Sequence, residues 1–390
     1  MRTKFLLLAI AYLSFVSLGL PDAAIGVAWT SIRETFGLPQ SGLGVVLVSG
    51  GVGYFTSGFF AGQLVQRLGV GSLLALSSAG VTIGLVGYAL TPVWLLFAGC
   101  ALLIGAGSGA IDAGLNTYAA SHFSAKQLNW LHACYGIGIT LGSLIMTGVL
   151  AKYGSWRWGY GSIASLIFLM ALTFTFTRTF WQQNSGASAA AQDPSRSTVG
   201  LLPTLQQPLV WLQLIVFFVY TGVEATAGQW SFTLYSEARS IPLETAGTWV
   251  GLYWGSLTVG RVLFGFIVPK LGADRLLRFS TLGVLLGSLL YSIGAVPLSV
   301  FGLAIIGLSL APIFPCLMSR TPARLGRYAT NAIGFQVSAA MLGGAIVPSV
   351  TGLLVTAFSL EVIRAVVLIM AIALWSFHEI LIRYGATHLD

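Results

Sequence analysis

Apolar runs, each about as long as a bilayer is thick, follow one another along almost the whole chain. A spanning helix needs about 20 mainly apolar residues. By that measure twelve helices are expected, over 5–32, 42–66, 70–91, 93–120, 127–151, 158–180, 208–236, 245–268, 275–296, 298–319, 329–357 and 360–383. Charged residues make up 8% of the sequence and apolar ones 56%, whereas a soluble domain carries about 25% charged residues. The fold class is therefore an all-α integral membrane protein. Its 48 glycines suit it, because small residues let membrane helices approach closely. The first run holds Asp22 and lacks a small-residue cleavage site, so it is expected to stay as the first helix rather than leave as a signal peptide.

The one sustained polar stretch runs from Trp181 to Pro208 and is rich in Ser, Ala, Gln and Pro. It reads as a linker over 182–207, dividing the chain into six-helix halves at 1–181 and 208–390. The halves repeat each other. Asp22 answers to Glu224 and Gly26 to Gly228, each 202 residues on, while Glu34–Pro39 answers to Glu237–Pro242 at 203. GQLVQRLG at 62–69 returns as GFIVPKLG at 265–272, again at 203. An internal repeat of this kind marks transporter architectures.

Lys and Arg at the ends of the runs set the orientation. With the N-terminus in the cytoplasm, thirteen fall on the inner side, among them Arg67, Lys126, Arg320, Arg324 and Arg327. Five fall outside: Arg33, Lys152, Arg157, Arg239 and Arg364. Both termini are thus expected in the cytoplasm, and Arg261 is left inside the eighth span. The +8 net charge is scattered singly along the chain, so it indicates lipid contact rather than nucleic acid. Cys100, Cys134 and Cys316 share no metal spacing and read as core.

Twelve spans, a central linker and the glycine–basic turn at 62–69 resemble the major facilitator superfamily across essentially the whole chain. In one respect the turn departs from the family. Val65, Gln66, Val70 and Gly71 stand where it usually has an acid before the arginine and more bases after it. The resemblance implies two pseudo-symmetric six-helix bundles that move a small solute by alternating access.

Ionisable groups inside the spans are the candidates for chemistry, because a charge at the bilayer centre costs about 2.5–3.5 kcal/mol on insertion scales. Asp22 follows Pro21, which removes a helix donor, about midway through the first span. In the fourth, Asp112 and Asn116 are four apart and share a face. The fifth brings His132 to a similar level, where an imidazole could exchange protons near neutrality. The seventh span carries Glu224, Gln229 and Trp230, and the eighth Tyr253 and Trp254. Aromatic faces beside amides and acids suit a sugar, whose C–H face stacks while its hydroxyls hydrogen-bond. Trp29 and Trp230 read either as cavity lining or as interfacial anchors. Gln336 is a further candidate, with Asn331 nearby. Proline bends are expected at Pro312, Pro315 and Pro348.

LPDAAIG in the first span, GAGSGAIDAGLN in the fourth and LNWLHACYGIG in the fifth resemble the fucose-permease branch, the sugar–proton symporters. That resemblance implies proton and sugar handling by Asp22 and Asp112, the two acids that match by position. Together the readings give proton coupling at Asp22, Asp112, Glu224 and His132. Substrate contacts are expected from Asp22, Asn116, Glu224, Gln229, Trp230, Trp254 and Gln336. The expected partners are a sugar or related polar solute, protons and the lipid bilayer, for a monomer in the inner membrane. The alternative is a drug–proton antiporter, but Gly142-Ser143 stands where such antiporters carry Gly-Pro. No enzyme motif, metal site or cofactor is expected. His378-Glu379 lacks the second His of a zinc protease, and Gly105, Gly107 and Gly109 lie within a membrane helix rather than after a strand.

Overall fold

A computed structural model describes residues 2–123, 125–182 and 201–387. Every regular element among these residues is helical. In order they are α1 (Arg2–Phe36), α2 (Gly42–Leu68), α3 (Val70–Leu90), α4 (Trp94–His122), α5 (Ala125–Tyr153), α6 (Trp156–Gln182) and a short α7 (Leu201–Leu205). Then come α8 (Pro208–Thr233), α9 (Leu243–Leu271), α10 (Ala273–Ser292), α11 (Val296–Leu310), α12 (Ile313–Leu325), α13 (Ala329–Ala357) and α14 (Val362–Thr387). Among the described residues, eleven helical stretches are long and apolar enough to cross a membrane. The expected ninth span, α10, falls short of that measure because Asp274, Arg275 and Arg278 load its first two turns.

Two readings change. The tenth span is not one helix over 298–319 but two, broken at Ala311–Pro312, where proline has no N–H to give the ladder. Pro21, by contrast, is absorbed within a continuous α1. Most of the linker, 183–200, lies outside the described residues, and its last part forms α7.

The chain divides into two compact units, one of Met1–Gln192 with Ser240–Gly251, the other of Asp193–Arg239 with Leu252–Asp390. In the first, α1 packs on α5, α2 on α4 and α3 on both α4 and α6. In the second, α8 packs on α13, and α10 on α11 and α14. These are the pairings that the sequence repeat leads to. The repeated turns agree as well: Gly69 and Gly272 close them with φ of 74° and 80°, a left-handed conformation glycine enters at no steric cost.

Glycine also sets how closely the helices cross. A Cβ on Gly138 of α5 would stand 1.9 Å from the Val16 carbonyl oxygen of α1, and one on Gly142 would stand 2.0 Å from that of Leu20. Gly105 of α4 faces the Gly50 carbonyl of α2 at 1.9 Å in the same sense, and Gly343 of α13 that of Phe218 in α8 at 2.0 Å. Both Gly138-x-x-x-Gly142 and Gly105-x-x-x-Gly109 are small-residue seams of the kind that bring membrane helices together. Gly138→Ala is expected to lower stability by about 1–3 kcal/mol, as overpacking does. Gly161→Ala, where an added Cβ meets nothing within 4 Å, should change it by less than about 0.5 kcal/mol. Thermal unfolding of the detergent-purified variants measures both.

Candidate functional site

The acids of the first unit stand where its helices cross most closely. On α1, Asp22 is exposed, and it accepts a short hydrogen bond from the Tyr135 hydroxyl of α5. Gly19, three residues earlier, lies so close to the Tyr135 backbone that a Cβ would come within 2.3 Å of its carbonyl oxygen. The seam that admits α5 therefore delivers its tyrosine to the acid. On α4, half-buried Asp112 receives the Tyr54 hydroxyl of α2 at 2.7 Å and the Asn116 side-chain amide at 2.9 Å. A Cβ on Gly109 would sit 2.4 Å from the Tyr54 carbonyl oxygen, so here too a glycine lets the tyrosine in. Asp22 and Asp112 are near enough for the charge of one to act on the other, and both act on Tyr54.

The second unit gives Glu224 a different setting. Tyr220, one turn earlier on α8, donates a short hydrogen bond to its carboxylate. Arg261 of α9 stands 4.0 Å away, which supplies the cation's partner that the sequence leaves open. The Tyr253 hydroxyl donates to the Glu224 backbone carbonyl at 2.9 Å. Trp254 lies edge-on to Tyr253 and across Gly228, whose Cβ would touch its ring at 2.1 Å. Its indole N–H has no hydrogen-bond partner. Gln229 is buried on α8.

Two expected residues are placed otherwise. The Trp230 ring is fully buried and its N–H is taken by the Pro348 carbonyl at 2.9 Å. It ties α8 to α13 and has no donor left for a solute. Gln336 is fully buried, accepting from Thr321 at 3.0 Å and donating to Gln213, so its amide holds three helices together. His132 is exposed on α5 and lies T-shaped to the Phe15 ring, with centroids 5.5 Å apart. Trp29 is buried in an aromatic group with Trp94 and bonds Gln40 at 2.9 Å.

Tyr54, Tyr135 and Tyr220 are the residues that sequence reasoning missed. The available signal was position: Tyr54 lies in GVGYF and Tyr135 in CYGIG, each beside glycines that make a seam.

With this geometry goes a match to the Major Facilitator Superfamily family model over residues 8–348. The chain belongs to the major facilitator superfamily. Among curated relatives it is 20% identical to the glucose/mannose transporter GlcP of Bacillus subtilis, over 87% of this chain and 86% of that one. It is 23% identical to the human sodium-dependent glucose transporter 1, over 87% and 72%. Among solved structures it superposes on the nucleoside transporter NupG (D323A mutant) with a TM-score of 0.79 at 14% identity, over 97% and 99%. On FucP in its outward conformation the TM-score is 0.66 at 16% identity, over 97% and 99%. These superpositions establish the fold, and the superfamily's multi-pass membrane topology goes with it.

The setting of Trp230 gives a direct expectation. Trp230→Phe deletes this hydrogen bond and leaves part of the buried indole's volume empty, so stability should fall by about 1–3 kcal/mol. Solute affinity, measured by titration calorimetry, should not move.

Proposed function

We propose that this protein is a secondary active transporter that moves a hexose-like sugar by alternating access, driven by protons taken up at Asp22 and Asp112. One observation carries the coupling assignment: both hydrogen-bond donors on Asp112, Tyr54 and Asn116, are neutral. A carboxylate facing a guanidinium is held in its charged form, whereas one facing hydroxyl and amide groups can hold or release a proton without breaking an ion pair. Glu224, set against Arg261, serves better as a fixed counter-charge than as the proton carrier.

Sugar as the cargo is supported by the printed names of the relatives: transporters of glucose and mannose, of glucose, and of glucose and galactose. No comparable observation favours drug export. The distribution of Lys and Arg supports both termini and the 182–207 linker in the cytoplasm, and the reading takes the protein as a monomer in the inner membrane. The ligand's part is thermodynamic: a bound proton biases the access equilibrium only by its differential affinity for the two states.

Proteoliposomes containing the purified protein test this. An imposed inward proton gradient should drive uptake of labelled glucose above equilibrium, and a sodium gradient alone should not. Asp112→Asn should lose concentrative uptake yet keep glucose exchange at equal pH, and Tyr54→Phe should weaken uptake without abolishing it. Uphill uptake by Asp112→Asn at the wild-type rate, or accumulation that follows sodium and ignores pH, would falsify the coupling assignment. Absence of any sugar flux in the wild type would remove the cargo.

A further inference from the structure

A second feature of the molecule lies away from those acids, at the end of the second unit where α8 begins and α12 and α14 finish. There a cavity of about 220 Å³ is lined by Gln207, Pro208, Leu209, Arg324, Tyr328 and Tyr384, among others. Sites for drug-sized ligands run from about 300 Å³ upward, so this space suits one small group.

Its charge is positive and partly uncommitted. The Arg324 side chain is only 5% exposed, and its Nη1 has no hydrogen-bond partner. Its Nη2 donates to Asp274 at 3.1 Å, but that carboxylate is shared with Arg320, whose Nε and Nη2 reach it at 3.0 and 2.8 Å. One acid thus answers two guanidinium groups. The next acid along α14, Glu379, is engaged by Arg278 at 3.0 Å. Arg327 adds a third cation at the rim, over the Tyr328 ring, and donates to the Tyr328 hydroxyl at 3.1 Å. That leaves the hydroxyl's own proton to offer elsewhere.

The start of α8 adds a fixed partial charge of the same sign. This 26-residue helix opens with Gln207 and Pro208 at the cavity wall, and the Gln207 side chain does not cap it. First-turn N–H groups of a helix lack intrahelical partners, and with the helix dipole they favour an anion; here Pro208 has none and that of Val210 goes to the Gln207 carbonyl at 3.0 Å, which leaves the Leu209 N–H. Part of the lining is apolar, with Leu209 and Tyr328 packed on a core of Val210, Leu325, Ala329 and Ala332.

We propose that this cavity binds a phosphate-bearing anion, supplied either as inorganic phosphate or as the headgroup of a phospholipid. Arg324 is the principal ligand, assisted by the start of α8 and the Tyr328 hydroxyl. A guanidinium with one N–H group still unpartnered suits phosphate oxygens, and the apolar part of the lining suits the first carbons of a lipid. This site is independent of the sugar reading and stands or falls apart from it.

The full-length protein, stripped of lipid in detergent and checked for residual phosphorus, is melted with inorganic phosphate, dioleoylphosphatidylglycerol or dioleoylglycerol. Sodium chloride at matched ionic strength is the control. Ligand well above its dissociation constant should raise the wild-type melting temperature by roughly 2–4 °C or more, with dioleoylglycerol and sodium chloride giving none. A shift with inorganic phosphate assigns the free ion; a shift with the phospholipid alone assigns the headgroup, as does phosphorus that resists stripping. Arg324→Gln should lose the response. Because that change also cuts the Asp274 bond, Gln207→Trp, which fills the cavity and spares the pair, should lose it too. No response to either phosphate source in protein free of phosphorus, or an equal response in Gln207→Trp, overturns the site.

Discussion

Helix packing in a bilayer is decided by how closely backbones can approach, since lipid chains are as apolar as leucine and offer no hydrophobic drive. In this protein that approach is set by glycines opposite carbonyl oxygens: Gly138 and Gly142 against α1, Gly105 and Gly109 against α2, Gly343 against α8. The consequence reaches past stability. A tyrosine reaches an acid on the next helix only if the two axes are near, and both tyrosine–acid pairs of the first unit bridge such seams. Packing and chemistry are here the same constraint.

The repeat conserves packing more faithfully than it conserves charge. The α1–α5 crossing returns as α8–α13, the glycine turn at Gly69 returns at Gly272, and an acid stands at the same place in the first helix of each half. Around that acid the halves diverge. Asp22 takes a hydroxyl from another helix, Tyr135, while Glu224 takes one from its own helix and lies beside Arg261. The turns diverge also: the second carries Asp274, bound by two arginines, where the first has no acid. The frame repeats, and the difference lies in the partners: a hydroxyl for Asp22, a hydroxyl and a guanidinium for Glu224.

Run length made the spans legible before any coordinates, and Pro312 marked the break between α11 and α12. The acids were legible because a carboxylate among apolar residues is costly wherever its side chain points. Their partners were not. Tyrosine is ordinary in a membrane helix, and whether Tyr54 faces Asp112 or lipid depends on rotation and on a crossing distance that no single run encodes. Tryptophan failed in the other direction. Trp230 and Trp254 look alike in sequence, yet one N–H is consumed by Pro348 and the other is not. What separates them is the neighbouring helix, α13, more than a hundred residues away.

The placement of arginine sorts the remaining acids by what they can do. Near the helix ends, Glu361 is held by Arg239 at 3.1 Å and also by Arg364, Asp274 by Arg320 and Arg324, and Glu379 by Arg278. Burial alone would push the Glu361 carboxyl up, but the guanidinium hydrogen bonds outweigh it and hold the carboxyl below its usual value. A group whose folded value is depressed stabilises the fold above its unfolded value and loses that contribution as pH falls through the folded one. The pairs of Glu361 with Arg239 and Arg364 therefore act as fasteners. A proton carrier needs the opposite arrangement, a carboxyl whose two protonation states lie close in energy. Under the proposed coupling, the neutral donors around Asp112 supply that arrangement, and an arginine placed there would end it.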